Sequence, residues 1–289
     1  MRKSLSFRKV GLAAVTLGLG GIAQAGVIID TDFNAATAGT YGAGVGDVAT
    51  TVGGLAVVSD TTNGSIVTVT AGGDQALQLT DNNSASNAGP ILSAPLAGIS
   101  TDASGDNLIE VSFNYTRLDT AGANPIFIFA INQNGATSPG NPNRAAQIRV
   151  TANTGSLTYW EGTNPADGLT TASVVDTGFD LAIGTEYVFN VSLDLSSTTQ
   201  DTYALSVATA AAPSTLLVDV DGISTTVDDI TPDIAVFNGA TNGGVAVANA
   251  FAEIDDVRIE SLPVPEPGSL ALALGGLAMV MRSRSSVRD

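Results

Sequence analysis

Cysteine and histidine are both missing from this chain of 289 residues. Their absence removes disulfides, thiol nucleophiles, serine–histidine triads and ordinary zinc sites from consideration. Lysine occurs only at Lys3 and Lys9, so the basic side chains between Gly26 and Leu262 are Arg117, Arg144, Arg149 and Arg258 alone. All of the 28 acidic residues except Glu266 and Asp289 lie in that same stretch; four arginines against 26 carboxylates give it a net charge of −22. Such a surface repels phosphate backbones and excludes nucleic acid as a partner, while it suits divalent cations or simple solubility outside the cell. Aromatic residues make up 5% of the chain, with Trp160 the single tryptophan. Helical periodicity is nearly absent.

What the chain does have begins at its two ends. Arg2, Lys3, Arg8 and Lys9 precede an apolar stretch from Val10 to Ile22, and Ala23-Gln24-Ala25 follows as a small-x-small cleavage site. This is the pattern of a secretory signal peptide over residues 1–25, with signal peptidase as its partner, and it is set aside from fold reasoning. At the other end Val264-Pro265-Glu266-Pro267 is held extended by prolines that lack backbone donors. An uncharged run from Gly268 to Met281 follows, then Arg282, Arg284 and Arg288. As a helix that run measures roughly 21 Å against a hydrocarbon core of about 30 Å, short for a span unless the flanking arginines snorkel. The arginines set a cytoplasmic end by the positive-inside bias.

The three ordered features of residues 263–289 resemble the PEP-CTERM sorting signal of exported bacterial proteins. The resemblance implies transient anchoring in the inner membrane, processing near Pro265, Glu266 and Pro267 by an exosortase-type membrane protease, and delivery to the cell surface or extracellular matrix.

The body, residues 26–262, fits one domain. Short runs rich in Val, Ile, Thr, Phe and Tyr recur between clusters of Gly, Asn, Asp and Ser, which predicts strands at Ser65–Thr70, Gln75–Thr80, Asn107–Thr116, Pro125–Asn132, Ala145–Thr151, Ser156–Trp160, Thr185–Leu195, Thr202–Ala208 and Ala250–Glu260. Alternation places Ile109, Val111, Phe113 and Tyr115 on an inward face, with Leu108, Glu110, Ser112 and Asn114 on the other, and makes Tyr187, Phe189, Val191, Leu193 and Leu195 wholly apolar. Many strands without crossover helices require antiparallel pairing, and two packed sheets, an all-β sandwich of jelly-roll type, are the economical solution. A β-solenoid is the rival, but no fixed-period repeat supports it. Three short segments resemble concanavalin-like (laminin-G-like) sandwiches: Ile28-Ile-Asp-Thr-Asp-Phe33 as an opening strand, Ile183-Gly-Thr-Glu-Tyr-Val-Phe-Asn-Val-Ser-Leu-Asp194 as a strand entered through a Gly-Thr-x-Tyr turn, and Ile254-Asp-Asp-Val-Arg-Ile259 as a closing strand.

Enzymes of that resemblance are mostly glycoside hydrolases with a carboxylate pair, in the laminarinase-like pattern Glu-x-Asp-x-x-Glu. None of the body's glutamates, Glu110, Glu161, Glu186, Glu253 and Glu260, completes that pattern, so no catalytic residue is assigned and the body is read as non-catalytic. Two roles remain: a structural or adhesive surface protein, or a lectin-like module for exopolysaccharide. For the second, Tyr159 and Trp160 are the candidate glycan contacts, since neighbours on a strand face opposite ways and one is outward; Arg144 and Arg149 could meet acidic sugars or pair with carboxylates. Gly42-Ala-Gly44-Val-Gly46 lies in a polar loop, and Asp219-Val-Asp221-Gly222 is only a fragment of an EF-hand loop. No cofactor is expected apart from a structural calcium ion. Two-residue alternation puts Asp255 on the face of Val257 and Ile259, with Asp256 beside Arg258 opposite, and a carboxylate beside an apolar row needs a hydrogen bond, a counter-charge or a metal. The resemblance implies calcium bound near Asp255 or Asp256, with Asp30 and Asp32 supplying further oxygens; a simple hydrogen-bonded strand end is the alternative.

Overall fold

The structure, a computed structural model, describes residues 26–42, 47–58, 65–82, 89–96, 107–120, 125–133, 144–162, 172–196, 201–225, 232–241 and 249–263. Residues 1–25 and 264–289, where a signal segment, a sorting tail and their helices are expected, lie outside the described residues.

Within those residues the chain forms seventeen strands and no helix, in two sheets whose strand pairs are all antiparallel. The first sheet runs β15 (Leu216–Ser224), β14 (Thr202–Thr209), β13 (Glu186–Asp194), β8 (Asn107–Arg117), β17 (Ala252–Pro263), β6 (Leu77–Asp81), β5 (Ser65–Val69) and β2 (Gly39–Tyr41), with β1 (Gly26–Thr31) also on β17. The second runs β12 (Ala172–Asp180), β11 (Ser156–Gly162), β10 (Arg144–Thr151), β9 (Pro125–Asn132), β16 (Ile234–Thr241), β7 (Ile91–Pro95), β4 (Leu55–Val57) and β3 (Thr51–Val52). This is the expected two-sheet sandwich, and the antiparallel order excludes a solenoid. The opening and closing strands lie side by side: Val27 pairs with Glu260 and Asp30 with Arg258.

Alternation decides what lies between the sheets. Ile109, Val111, Phe113 and Tyr115 of β8 face inward beside Tyr187, Phe189, Val191 and Leu193 of β13, as their spacing predicts. Phe113 is the hub: its ring stacks on Phe189 at 5.2 Å with an interplanar angle of 6°, and meets Phe129 at 5.3 Å and Phe237 edge-on at 5.2 Å from the opposing sheet. Such pairs add about 0.5–1.5 kcal/mol each beyond area burial.

One charged side chain ties the sheets together at the end of β8. Arg117 is buried and donates to three main-chain carbonyls, from Nε to Ala152 at 2.5 Å, from Nη1 to Leu181 at 2.5 Å and from Nη2 to Asn153 at 2.7 Å. Gly155 makes room for it. At φ +84°, a Cβ there would stand 2.2 Å from the Leu181 carbonyl oxygen and 2.5 Å from Arg117 Nη1.

Candidate functional site

The outward face of the first sheet carries a groove of about 420 Å3. Cross-strand register assembles it in rows. Arg258 of β17 lies opposite Ser112 of β8, Ser112 opposite Asn190 of β13, Asn190 opposite Ser206 of β14, and Ser206 opposite Asp219 of β15. The neighbouring row holds Glu260, Glu110, Ser192 and Ala204. At about 4.8 Å per strand the first row spans roughly 19 Å of hydroxyl, amide and charged groups. Asn190 Nδ2 donates to Ser206 Oγ at 3.4 Å. Glu110 and Glu260 are directly opposed, a destabilising arrangement for like charges. Arg258 offsets it, donating to Glu260 Oε2 at 2.8 Å and to Asp30 Oδ2 at 3.3 Å. The lining contains no aromatic residue.

Next to the groove, β17 breaks its alternation. Asp256 adopts φ +48°, and the register against β8 shifts between Asp255 and Arg258. This β-bulge inserts one residue where the neighbour of β17 changes from β6, at Ala252–Ile254, to β1, from Val257 onward. The expected placement of Asp255 is therefore corrected. It does not share the face of buried Val257 and Ile259 but lies outward opposite Asn114, because the extra residue resets the two-residue period. Asp255 and Asp256 are consecutive and both outward.

Carboxylates crowd this corner. Asp74, Glu186, Glu253 and Asp255 line a small polar recess of about 60 Å3 with Asn114 and Thr116. Partial burial, reinforced by Asp256, Asp74 and Glu186, pushes the Asp255 carboxyl up to about 7, although the Asp256 N–H bonding to it at 2.8 Å pulls the other way. Asp256 is also raised, by burial and then by Asp32, Asp74 and Asp30.

Each carboxylate expected to hold calcium has one oxygen engaged. Asp30 is ion-paired to Arg258, Asp32 Oδ1 accepts from Asn34 N at 3.1 Å, and Asp256 Oδ2 accepts from Asn114 Nδ2 at 2.9 Å. Among the described residues no three carboxylates gather into a metal-holding group. The donor set does not fit the ion as placed.

The outward face of the second sheet is of a different kind. Tyr159 points inward and is buried, and its neighbour Trp160 is outward and half-buried. The Arg149 guanidinium lies over the indole of Trp160, 4.8 Å from its centroid, a cation–π contact that occupies one face of the ring. Burial lowers the guanidinium pKa. Across the sheet Arg149 is opposite Ile128, and Ile128 is opposite Asn238; two residues along, Gln147 is opposite Ala130, which is opposite Val236. Gln147 and Asn238 are each 1% exposed, and among the described residues neither their amide nitrogens nor their amide oxygens meet a hydrogen-bond partner. Leaving such groups unpaired costs about 1–3 kcal/mol apiece.

Of the sequence-predicted site residues, Asp30, Asp32, Asp255 and Asp256 come together at the β1–β17 junction, and Tyr159 and Trp160 are separated by the sheet. Arg144 lies on β10 at the edge of the register shift against β9, which falls between Arg144 and Ala146. Ala23, Ala25, Pro265, Glu266, Pro267, Arg282, Arg284 and Arg288 lie outside the described residues. Ser112, Asn190, Ser206, Gln147 and Asn238 were not singled out by the sequence, because only cross-strand register makes them neighbours.

No family model matches the chain, and no curated protein matches it. Among solved structures it is similar to the PL-14 alginate lyase from Aplysia kurodai, at 10% identity and a TM-score of 0.46, covering 68% of this chain and 87% of that one. A lectin, UEA-II complexed with galactose, aligns at 11% identity and a TM-score of 0.47, covering 84% of this chain and 100% of that one. The alginate lyase Aly36B, as a mutant in complex with alginate trisaccharide, aligns at 13% identity and a TM-score of 0.46, covering 85% and 100%. The sandwich assignment rests on the strand pairing described above and not on these likenesses.

Proposed function

We propose that the body is a carbohydrate-binding β-sandwich carried on an exported, non-catalytic surface or matrix protein with a structural or adhesive role. The observation that carries this reading is the polar row Arg258–Ser112–Asn190–Ser206–Asp219 across five strands of the first sheet. Flat, rigid strands hold hydroxyl, amide and carboxylate groups at intervals of about 4.8 Å, and these match the alternating donors and acceptors of sugar hydroxyls. Without an aromatic platform in the lining, recognition proceeds by hydrogen bonding, and single-site affinity is expected near the millimolar range, about −4 kcal/mol.

The test is retention of the full chain on a glycan array, compared with Asn190→Leu and Ser206→Val, which put apolar bulk into the middle of the row. Loss of retention in both supports the groove. Retention unchanged in both would place glycan binding elsewhere or remove it. The same incubation distinguishes binding from hydrolysis: release of new reducing ends, abolished in Glu110→Gln, would make the opposed pair Glu110 and Glu260 an acid/base constellation and replace the non-catalytic reading.

A further inference from the structure

We infer that the groove on the first sheet takes a glycan that bears free amino groups. Glu110 and Glu260 at one end and Asp219 and Asp221 at the other meet its ammonium groups, and the serine and asparagine side chains between them meet ring hydroxyls. The inference rests on the groove reading above and deepens it by naming the sugar class.

The first observation is how the groove is built. Small side chains, Ser112, Ser192, Ala204 and Ser206, line its middle, and acidic ones stand at its two ends. On the β17 side Glu260 lies directly opposite Glu110. On the β15 side Asp219 lies opposite Ser206. Asp221 falls in the segment opposite Ala204, where the register of β15 shifts and Gly222 turns at φ +66°. Asp219 and Asp221 are two residues apart, so they share the outward face, and both are exposed. From β8 to β15 is three strand steps, roughly 14 Å. Carboxylates that far apart do not chelate one small ion, whose oxygens stand about 2.3–2.6 Å from it, but they can meet two charges carried along one extended chain.

The second observation is the sign of the charge and the lack of anything in the body to neutralise it. Four carboxylates line the groove against one guanidinium, that of Arg258, which already holds Glu260 and Asp30. Residues 26–262 contain no lysine and only three other arginines. Arg117 is buried on the Ala152 and Leu181 carbonyls, and Arg144 and Arg149 belong to β10 of the second sheet. The parts of the body outside the described residues contain neither lysine nor arginine, so they supply no counter-charge either. An ammonium group brings the missing charge together with three hydrogen-bond donors, and carboxylates are acceptors only. A uronate or a sulfated sugar meets the same carboxylates as repulsion. The floor favours a sugar over a basic peptide. A peptide that binds through its backbone adds to an open strand edge, whereas β8, β13 and β14 are each paired on both sides and offer only side-chain hydroxyls and the Asn190 amide.

The experiment titrates the full chain by calorimetry at about pH 6, where ordinary carboxyls are ionised and amines are protonated. The ligands are a β-1,4-linked glucosamine tetramer, the same tetramer fully N-acetylated, tetragalacturonate, and spermine as an amine without a sugar. The amino tetramer should bind roughly tenfold more tightly than its acetylated form, as expected for charge-assisted hydrogen bonds at an open site. Tetragalacturonate should give no saturable heat, and spermine should bind more weakly than the amino tetramer because it leaves the hydroxyl floor unused. In the double variant Asp219→Asn with Asp221→Asn, and in Glu110→Gln, the preference for the amino form should shrink to about threefold or less. These substitutions keep side-chain size at positions that are not buried, and Glu110→Gln removes a like-charge opposition, so the fold is retained. Because the pairs are exposed, added salt should erode the preference while affinity for the acetylated tetramer holds.

Equal affinity for the amino and acetylated tetramers would overturn the inference and leave the groove as a site for neutral glycans. Tetragalacturonate binding as well as the amino tetramer, or a preference that survives both charge variants, would overturn it in the same way. Spermine binding as tightly as the amino tetramer would also overturn it, since the groove would then collect cations with no part for the sugar. Binding of neither tetramer would remove the groove reading along with it.

Discussion

At the scale of single residues, Tyr115 places in the core a polar group that the fold does not use. The Tyr115 hydroxyl is fully buried, has no hydrogen-bond partner, and has its pKa driven upward by burial, slightly countered by Arg117. The ring is needed, since it meets Phe127 at 4.7 Å and Phe189 edge-on at 5.7 Å. Tyr115→Phe keeps the ring and removes the unpaired group, so it should stabilise the protein by about 1 kcal/mol, or roughly 2–4 °C in thermal melting for a domain of this size. A melting temperature that falls would mean the hydroxyl has a partner after all. Asp255 gives the corresponding prediction for charge. Its carboxyl is raised to about 7, chiefly by burial, so the native state favours the neutral form. The stability this contributes is complete below about pH 4, the ordinary carboxyl range, and is lost as pH rises through about 7. Asp255→Asn keeps an oxygen to accept the Asp256 N–H and cannot ionise. The melting temperature of Asp255→Asn minus that of the parent should grow between pH 4 and 7 and then level off. A difference that stays flat across that window would show that Asp255 ionises freely; one that closes on adding calcium would restore the cation site that the donor geometry does not assemble.

At the scale of elements, what the sequence reveals is set by how regular each strand is. In β8 and β13 the two-residue alternation is unbroken, and their inner and outer faces follow from the residue types alone. In β17 the same rule fails after Ile254, since nothing in Asp255-Asp256 announces an added residue, and the acidic pair is assigned to two faces when it occupies one. β16 was missed for a related reason. Its Asn238-Gly239 reads as a turn, yet it runs through the middle of a strand, and the glycine is there because a Cβ would stand 2.3 Å from the Phe251 ring. β12 and β15 hide behind glycines with positive φ, Gly178 at +71° and Gly222 at +66°. The bulge in β17 is testable. A left-handed conformation is tolerated by Asp and Gly but is costly for a β-branched residue. Asp256→Gly should leave stability nearly unchanged, the relief at φ +48° offsetting the lost bond from Asn114, whereas Asp256→Val should cost about 1–3 kcal/mol by denaturant unfolding. Equal effects of the two substitutions would mean that the backbone at this position is not left-handed in solution.

At the scale of the whole molecule, the chain divides its charge between its ends and its body. Seven of the 11 basic residues stand in the two terminal segments, while the body between them is strongly acidic. The first and last strands of the sandwich pair, and β17 ends at Pro263. Under the sorting reading proposed for residues 263–289, three properties of the tail would act in sequence. The prolines around Glu266 would keep residues 264–267 extended and open to a protease. The uncharged run from Gly268 to Met281 would partition into the bilayer, its roughly 21 Å as a helix being a marginal fit to a core of about 30 Å. Arg282, Arg284 and Arg288 would hold the end on the cytoplasmic side. On this proposal the run makes the anchor and the proline segment makes it removable, so the two are separable. Replacing Pro265, Glu266 and Pro267 with alanine should leave the run inserted and the protein uncleaved, so that it collects in the inner membrane at full tail-bearing mass while the body still folds. Replacing Arg282, Arg284 and Arg288 with glutamine should weaken retention before cleavage without removing the recognised segment. Fractionation with mass measurement of the released form distinguishes these outcomes. Release of the triple-alanine protein at normal mass and rate would sink the sorting reading, because the membrane run alone would then account for everything the tail does.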